Sequence, residues 1–289
     1  MVWEIISLYA ILPHRISLNG KIERRNLMEN VKMPVIFVGH GSPMNAISDN
    51  EFTRSWERLG KILPKPKAIL VISAHWYDDG TYTNDKEHPE VINDMYGFPK
   101  ELYQVNYNSP GSPFLANRLL VLLKEKLLVD NSWGIDHGTW SVLTKMYPNK
   151  NIPVIQLSIN RRLFPQEHYE IGVLLKTLRE EGVLIIGSGN IVHNLMMVDW
   201  YNGNNGFAWA ESFDSLVKKC ILEGNDETLI DYKHMKDSNF AIPTPEHYLP
   251  LLYVLGARNK EDKIEIFNEK LIMGSLSMTS YIFWPKGIN

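Results

Sequence analysis

The chain has 289 residues, of which 44% are hydrophobic and 22% are charged, and this ordinary globular composition excludes a disordered or fibrous protein. Lys and Arg number 30 against 33 Asp and Glu, without a basic run, so we expect no nucleic-acid partner, because phosphate contacts need clustered cations. The single cysteine, Cys220, excludes an intrachain disulfide and a cysteine-based zinc cluster.

The N-terminal part of the chain differs in composition from the rest. Residues 1–32 are polar and irregular after Leu12, whereas an apolar run bounded by glycine begins directly after Met33. We therefore predict an N-terminal extension over residues 1–32 and one folded domain over residues 33–289. No stretch approaches the roughly 18 apolar residues that a membrane span needs, and the basic segment and cleavage site of a secretory signal are missing. These features favour a cytoplasmic protein without a membrane partner.

Short apolar runs alternate with helical patterns along the folded part. The runs are free of charges, as expected for strands covered on both faces, and they span residues 35–38, 68–73, 152–157 and 183–186. Apolar residues at helical spacing predict helices over residues 114–128, 170–181, 205–222 and 245–255. This alternation predicts a single α/β domain with a mostly parallel or mixed central sheet flanked by helices.

Three of the nine histidines follow predicted strands. His40 comes after the first, His75 after the second, and His193 seven residues after the strand that ends at Ile186. Because ligands bind at the carboxyl ends of strands in such sheets, we expect these imidazoles at one edge. His247 falls in the first turn of the predicted helix 245–255, where the helix dipole keeps the ring neutral. One histidine alone would more often serve packing, but together the four predict a metal site for Zn, Fe, Cu or Ni.

The other histidines are less informative. Asp136 and His137 open a predicted helix that runs to Met146, so His137 either lies on the surface behind an N-cap aspartate or belongs to the site. The remaining four lie in polar or loop-like surroundings and are predicted to be solvated, namely His14, His88, His168 and His234.

Several motifs, in the same order along the chain, resemble those of the class III extradiol ring-cleaving dioxygenases, and most of all the 4,5-DOPA dioxygenase extradiol branch. The resemblance runs from about Met33 to about Tyr281. The motifs are Gly39-His40-Gly41-Ser42-Pro43-Met44, Ser73-Ala74-His75-Trp76, Tyr96-Gly97-Phe98-Pro99, Asp136-His137-Gly138, Gly189-Asn190-Ile191-Val192-His193-Asn194, Pro243-Thr244-Pro245-Glu246-His247 and Met273-Gly274-Ser275-Leu276-Ser277-Met278.

The resemblance implies roles for five histidines. His40 and His75 match the paired metal ligands, and His247 stands where the related protocatechuate branch has a ligand glutamate. His193 matches a residue that acts as the catalytic base or as a fourth ligand. His137 matches a second active-site histidine near the substrate, which would hydrogen-bond dioxygen or a substrate oxygen.

The activity implied by the resemblance is cleavage of a catechol ring, next to the diol, by O₂ at a divalent metal. Fe(II) is expected for activity, because Zn(II) has no redox chemistry, although four neutral imidazoles would also suit Zn(II). The implied partners are a small aromatic diol of the DOPA type and O₂. Two alternatives stay open at this point, namely a zinc-dependent hydrolase and a non-catalytic zinc-binding protein on the same scaffold. The oligomeric state and the physiological substrate are not predicted.

Overall fold

The predicted strands form the middle of one sheet. The computed structural model describes residues 31–203 and 205–287. Within these residues, eight strands pair in the order β4-β3-β5-β2-β6-β1-β10-β7, and β8 and β9 form a separate ribbon. The strands are β1 (Val35–Gly39), β2 (Ala68–Asp78), β3 (Tyr82–Thr83), β4 (Leu128–Val129), β5 (Val154–Asn160), β6 (Val183–Gly189), β7 (Lys263–Phe267), β8 (Leu271–Ile272), β9 (Leu276–Ser277) and β10 (Ser280–Trp284).

The four central strands run parallel. In their register Gly39 of β1 lies opposite Gly189 of β6, and Ser73 of β2 lies opposite Ser188 of β6. The carboxyl ends of β1, β2 and β6 therefore meet at one edge of the sheet. β10 and β7 extend the other side of β1 in antiparallel pairing. The predicted single α/β domain with a mixed central sheet is confirmed.

Helices cover both faces of the sheet, because successive strand residues point to opposite sides. Phe37 and Leu70 pack with the core on the side of α4 and α8, whereas Ile36 and Val71 pack with Trp56 and the core on the side of α1 and α3. The helices are α1 (Glu51–Ile62), α2 (Pro113–Leu123), α3 (His137–Met146), α4 (Pro165–Leu175), α5 (Ala208–Glu223), α6 (Asp226–Ile230), α7 (Ser238–Ala241) and α8 (Leu249–Ala257). None of those in the described part of the chain has the length and apolar composition that a membrane span requires.

Several predicted helix boundaries are wrong. Helix α2 ends at Leu123 and not at residue 128, which lies in strand β4. Helix α4 ends at Leu175 and not at residue 181, and α5 begins at Ala208 and not at residue 205.

Helix α8 begins at Leu249 and not at residue 245, because the carbonyl of Pro245 accepts hydrogen bonds from the amides of Tyr248 and Leu249 in a preceding turn. Helix α4 begins at Pro165, five residues earlier than predicted, since Glu167 accepts a hydrogen bond from the amide of Phe164 and closes the first turn.

The predicted extension, residues 1–32, lies outside the described residues apart from its last two. The domain boundary at Met33 therefore stays a prediction.

Candidate metal centre

Three histidine side chains converge at the carboxyl edge of the sheet. His40 follows β1, His75 lies in the last part of β2, and His247 lies in the turn before α8. Each offers a ligand atom, and the three atoms lie within 4.8 Å of one another. The Nε2 atoms of His40 and His75 are 3.2 Å apart. The three pairs of ring centroids are separated by 5.1, 5.1 and 5.3 Å, so the rings surround a common point.

The position of His75 differs from its prediction. The second strand does not end at residue 73 but continues to Asp78. Its pairing with β5 is interrupted after Ile72 and resumes at Tyr77, which leaves the segment with His75 irregular in register. His75 was expected to reach the site from a position beyond the end of the strand. It reaches the site from this irregular segment instead.

A serine fixes the tautomer of His40. The Oγ of Ser188 donates to the carbonyl of Gly138 at 2.6 Å and lies 2.9 Å from Nδ1 of His40. Because the single hydroxyl proton is used on Gly138, Ser188 accepts from His40. The Nδ1 atom therefore carries the proton, and Nε2 keeps its lone pair.

Carboxylates lie beside Nδ1 of the other two imidazoles. Nδ1 of His247 is hydrogen-bonded to Oε1 of Glu246 at 3.2 Å, and Nδ1 of His75 lies 3.3 Å from Oδ2 of Asp94 as an ion-pair contact. A carboxylate only accepts, so Nδ1 of His247 carries the proton and its second nitrogen is free. Metal-bound histidines have this arrangement, in which the second nitrogen donates to a carboxylate or another acceptor.

The donor set fits a metal ion. The Nε2 atoms of His40 and His75 lie 3.2 Å apart, close enough to share one proton or to bind one cation. Metal–nitrogen distances of about 2.0–2.1 Å place two ligands at right angles roughly 3 Å apart. The chain can therefore hold a metal at this point, as expected for ligands that are imidazoles.

The electrostatics also favour ligand imidazoles. Burial and then the neighbouring imidazoles lower the pKa of His40 and of His247 well below the ordinary value. Burial and then the neighbouring imidazole of His137 lower the pKa of His75 to about 3, although Asp94 opposes this shift. The three rings are thus neutral near pH 7, as metal binding requires. The sequence attributed the neutral ring of His247 to a helix dipole. Because His247 precedes α8, burial keeps the ring neutral instead.

His193 lies at the side of this cluster. Its ring stacks on that of His247, with centroids 3.5 Å apart and planes 7° from parallel. It forms a second group with Glu246 and His247 whose ligand atoms lie within 4.8 Å, but it does not join His40 and His75 in the first group. Its predicted role as a base or a fourth ligand stays a prediction.

His137 is buried beside the cluster. It is the first residue of α3, where Asp136 caps the helix by accepting from the amide of Thr139. Its ring centroid lies 3.7 Å from that of His75, and its side chain is 8% exposed. Of the two interpretations left open by the sequence, a surface position is therefore excluded.

Asp94 is a site residue that the sequence did not indicate. Its Oδ1 accepts from the amide of His137 at 2.9 Å, and its Oδ2 accepts from Nδ1 of His137 at 2.8 Å. Burial alone would raise the pKa of Asp94, but the hydrogen bond from His137 and the proximity of the two imidazoles hold it below its usual value. The residue follows no strand, and the one available signal was the motif that begins two residues later at Tyr96.

The predictions for the remaining histidines have mixed outcomes. His88 and His234 are exposed, as predicted. His168 was predicted to be solvated, and this is wrong, because it lies buried on α4 with Nδ1 2.8 Å from the hydroxyl of Tyr253 on α8. His14 lies outside the described residues.

The fold and the site together define the class, an α/β protein with a candidate histidine metal centre at the carboxyl edge of its sheet. Residues 33–284 match the family described as the catalytic LigB subunit of aromatic ring-opening dioxygenase. The chain belongs to this family of class III extradiol, ring-cleaving dioxygenases.

Named relatives are similar over most of their length. The chain is 47% identical over 259 residues to 4,5-DOPA dioxygenase extradiol of Escherichia coli (strain K12), a match that covers 88% of this chain and 96% of the relative. It is 40% identical over 270 residues to the protein of the same name from Beta vulgaris, with 88% and 97% covered. A crystal structure of an uncharacterised Escherichia coli K12 protein superposes with a TM-score of 0.77 at 44% identity, covering 87% of this chain and 99% of that one.

Proposed function

We propose that the chain cleaves the ring of a DOPA-like catechol with O₂, next to the diol, using one Fe(II) held by His40, His75 and His247. The observation that carries this proposal is the set of three neutral imidazoles whose ligand atoms lie within 4.8 Å of one another, with an acceptor beside each Nδ1 atom. The name of the relatives, 4,5-DOPA dioxygenase extradiol, supports the substrate class.

Three protein ligands would leave coordination positions on the ion for the reactants. When bound, Fe(II) supplies a redox-active centre, which lets O₂ react with a spin-paired aromatic diol, whereas Zn(II) does not. Holding both reactants at one point makes their encounter effectively intramolecular. His40 and His247 are themselves buried in the protein.

His193 is proposed to move the proton of the substrate. Its ring makes no hydrogen bond with any side chain in the described part of the chain, and it is held in place by stacking on His247 and by its backbone amide, which donates to Ala241 at 2.9 Å. A ring nitrogen of His193 is thus free to take a proton from a catechol hydroxyl and to return it to the product.

The activity is tested by oxygen uptake. Protein purified without oxygen is loaded with Fe(II) and mixed with L-DOPA, dopamine or 4-methylcatechol, while an electrode follows O₂ and a spectrophotometer follows the semialdehyde product. We expect one O₂ consumed per catechol and a new visible absorbance. Fully iron-loaded protein that consumes no oxygen with any of these catechols would contradict the proposal.

Substitution separates the ligands from the base. We expect His40→Ala and His247→Ala to lose the metal, and His193→Ala to keep it but lose turnover. Metal content is measured by elemental analysis after dialysis, with His88→Ala, an exposed histidine, as the matched control. Loss of metal from His193→Ala would instead make this residue a fourth ligand.

A further inference from the structure

Asp94 lies between two imidazoles of the site and forms with His75 and His137 a further group whose ligand atoms lie within 4.8 Å of one another. Its two oxygens accept hydrogen bonds from the amide of His137 at 2.9 Å and from Nδ1 of His137 at 2.8 Å, and Oδ2 also lies 3.3 Å from Nδ1 of His75. The side chain is only 10% exposed. The carboxylate thus holds the imidazole of His137 by two hydrogen bonds and lies against the candidate ligand His75.

These contacts decide the tautomer of His137. An ionised carboxylate has no proton to give, so the 2.8 Å contact requires that Nδ1 of His137 carries the proton. Nε2 of the neutral ring then bears a lone pair and can only accept. No hydrogen bond within the described residues uses this atom. The nearest aromatic donor is already engaged, because Nε1 of Trp140 donates to the carbonyl of Ile92 at 3.0 Å.

The ring of His137 faces the shared centre of the site. Its centroid lies 3.7 Å from that of His75 and 5.8 Å from that of His40.

We infer that Asp94 is a positioning residue that holds His137 in the Nδ1–H tautomer, so that Nε2 of His137 accepts a hydrogen bond from a substrate hydroxyl. The inference rests on the proposed function, since it takes the substrate to be a diol. The family resemblance implied a His137 that stabilises an oxygen as a donor, whereas the Asp94 contacts point to an acceptor. A catechol has two O–H groups, and His137 and His193 would each accept from one of them.

The tautomer can be measured without turnover. Protein with ¹⁵N-labelled histidine is loaded with diamagnetic Zn(II), and two-bond ¹H–¹⁵N correlations report which ring nitrogen is protonated. The signals of His137 are assigned by their loss in His137→Gln. We expect protonated Nδ1 and unprotonated Nε2. A wild-type His137 with its proton on Nε2 overturns the inference, even in an active enzyme.

Asp94→Asn tests the cause. An asparagine amide can donate to Nδ1, so we expect the Nδ1–H signature of His137 to be lost, together with about a 10-fold or greater drop in kcat/KM per bound iron. Asp85→Asn, which changes an exposed loop aspartate, is the matched control and should change neither. An unchanged tautomer in folded Asp94→Asn contradicts the role of Asp94. If the variant does not fold, the wild-type spectrum still decides.

The two proposals fail separately. Absence of oxygen uptake by iron-loaded wild type contradicts the proposed function, whatever the tautomer of His137. An active enzyme in which Asp94→Asn keeps both its tautomer and its kcat/KM contradicts the positioning role alone.

Discussion

At the scale of single residues, each candidate ligand has one acceptor beside its Nδ1 atom. The acceptor is Ser188 for His40, Asp94 for His75, and the adjacent Glu246 for His247. Such partners fix the orientation and the tautomer of a ligand ring, and they raise its basicity. The metal affinity of the site is therefore a property of these acceptors as well as of the imidazoles.

Ser188→Ala tests this dependence. The change removes the acceptor for Nδ1 of His40, so the ring is free to rotate and to exchange tautomers. We expect metal affinity to fall by about 10- to 100-fold, measured with Zn(II) in competition with a chromophoric chelator. Ser132→Ala, at an exposed loop position, is the control and should bind as tightly as wild type. Equal affinities for all three proteins would show that Ser188 does not support His40.

At the scale of elements, the end of β6 assembles the site through three consecutive residues. Ser188 holds His40, the amide of Asn190 donates to the carbonyl of His247 at 2.9 Å, and Gly189 lies between them. A Cβ at Gly189 would lie 2.1 Å from that carbonyl oxygen. Only glycine allows the turn before α8 to approach this strand so closely.

Gly189→Ala should therefore displace His247. We expect it to bind Zn(II) more weakly and to lose about 1–3 kcal/mol in free energy of unfolding, as overpacked sites do. Gly224→Ala is the control, because Gly224 has positive φ and open space at its Cβ position, far from the site in the chain. It should lose stability but keep wild-type metal affinity. A Gly189→Ala variant with unchanged metal affinity would disprove the close-contact explanation.

The pair α4 and α8 carries a pH-sensitive contact. Burial lowers the pKa of His168 to about 4, from an ordinary value of 6.5, while its Nδ1 contacts the hydroxyl of Tyr253. The folded state thus prefers the neutral ring. Above pH 6.5 the ring of His168 is neutral in both the folded and the unfolded chain. As the pH falls below 6.5, His168 is protonated in the unfolded chain before it is protonated in the folded chain. Stability is lost as the pH falls from about 6.5 to about 4.

His168→Gln removes this titration. We expect wild type to lose about 2 kcal/mol more than the variant in free energy of unfolding between pH 7.5 and pH 5. Urea unfolding at the two pH values measures the difference, and the site histidines cancel because both proteins contain them. Parallel losses in the two proteins would exclude His168 as a contributor to acid sensitivity.

At the scale of the whole molecule, the buried side chain of Arg179 contacts segments that are far apart in the sequence. Its guanidinium is fully buried and pairs with Asp262 at 2.7 Å. It also donates to the carbonyls of Met33, before β1, of Ala257, at the end of α8, and of Phe283 in β10. Chain segments separated by more than 200 residues thus share one cation.

Arg179→Met should destabilise the whole domain. The methionine fills the volume but leaves Asp262 buried without its partner, so we expect a loss of about 3–5 kcal/mol. The double change Arg179→Met with Asp262→Asn should recover part of this loss, because the unpaired charge is gone. Urea unfolding at pH 7 measures both variants. A loss below about 1 kcal/mol in the single variant would mean that the pair adds little.

Much of the fold and part of the site could be predicted from local sequence. The charge-free runs were confirmed as β1, β2, β5 and β6, because such segments are stable only when both faces are covered. The positions of His40, His75 and His193 relative to these strands placed them at one edge. Capping by Asp136 and the helix from His137 to Met146 were likewise local signals.

The sequence by itself therefore determined the α/β class and the imidazoles of the candidate centre, since strand and helix periodicity and residue type are local properties. Only the tertiary structure decided that His168 is buried and that Asp94 holds His137. These facts depend on contacts between residues tens of positions apart. Their free energy comes from burial and from hydrogen bonds that exist only in the packed chain, and no local pattern encodes them.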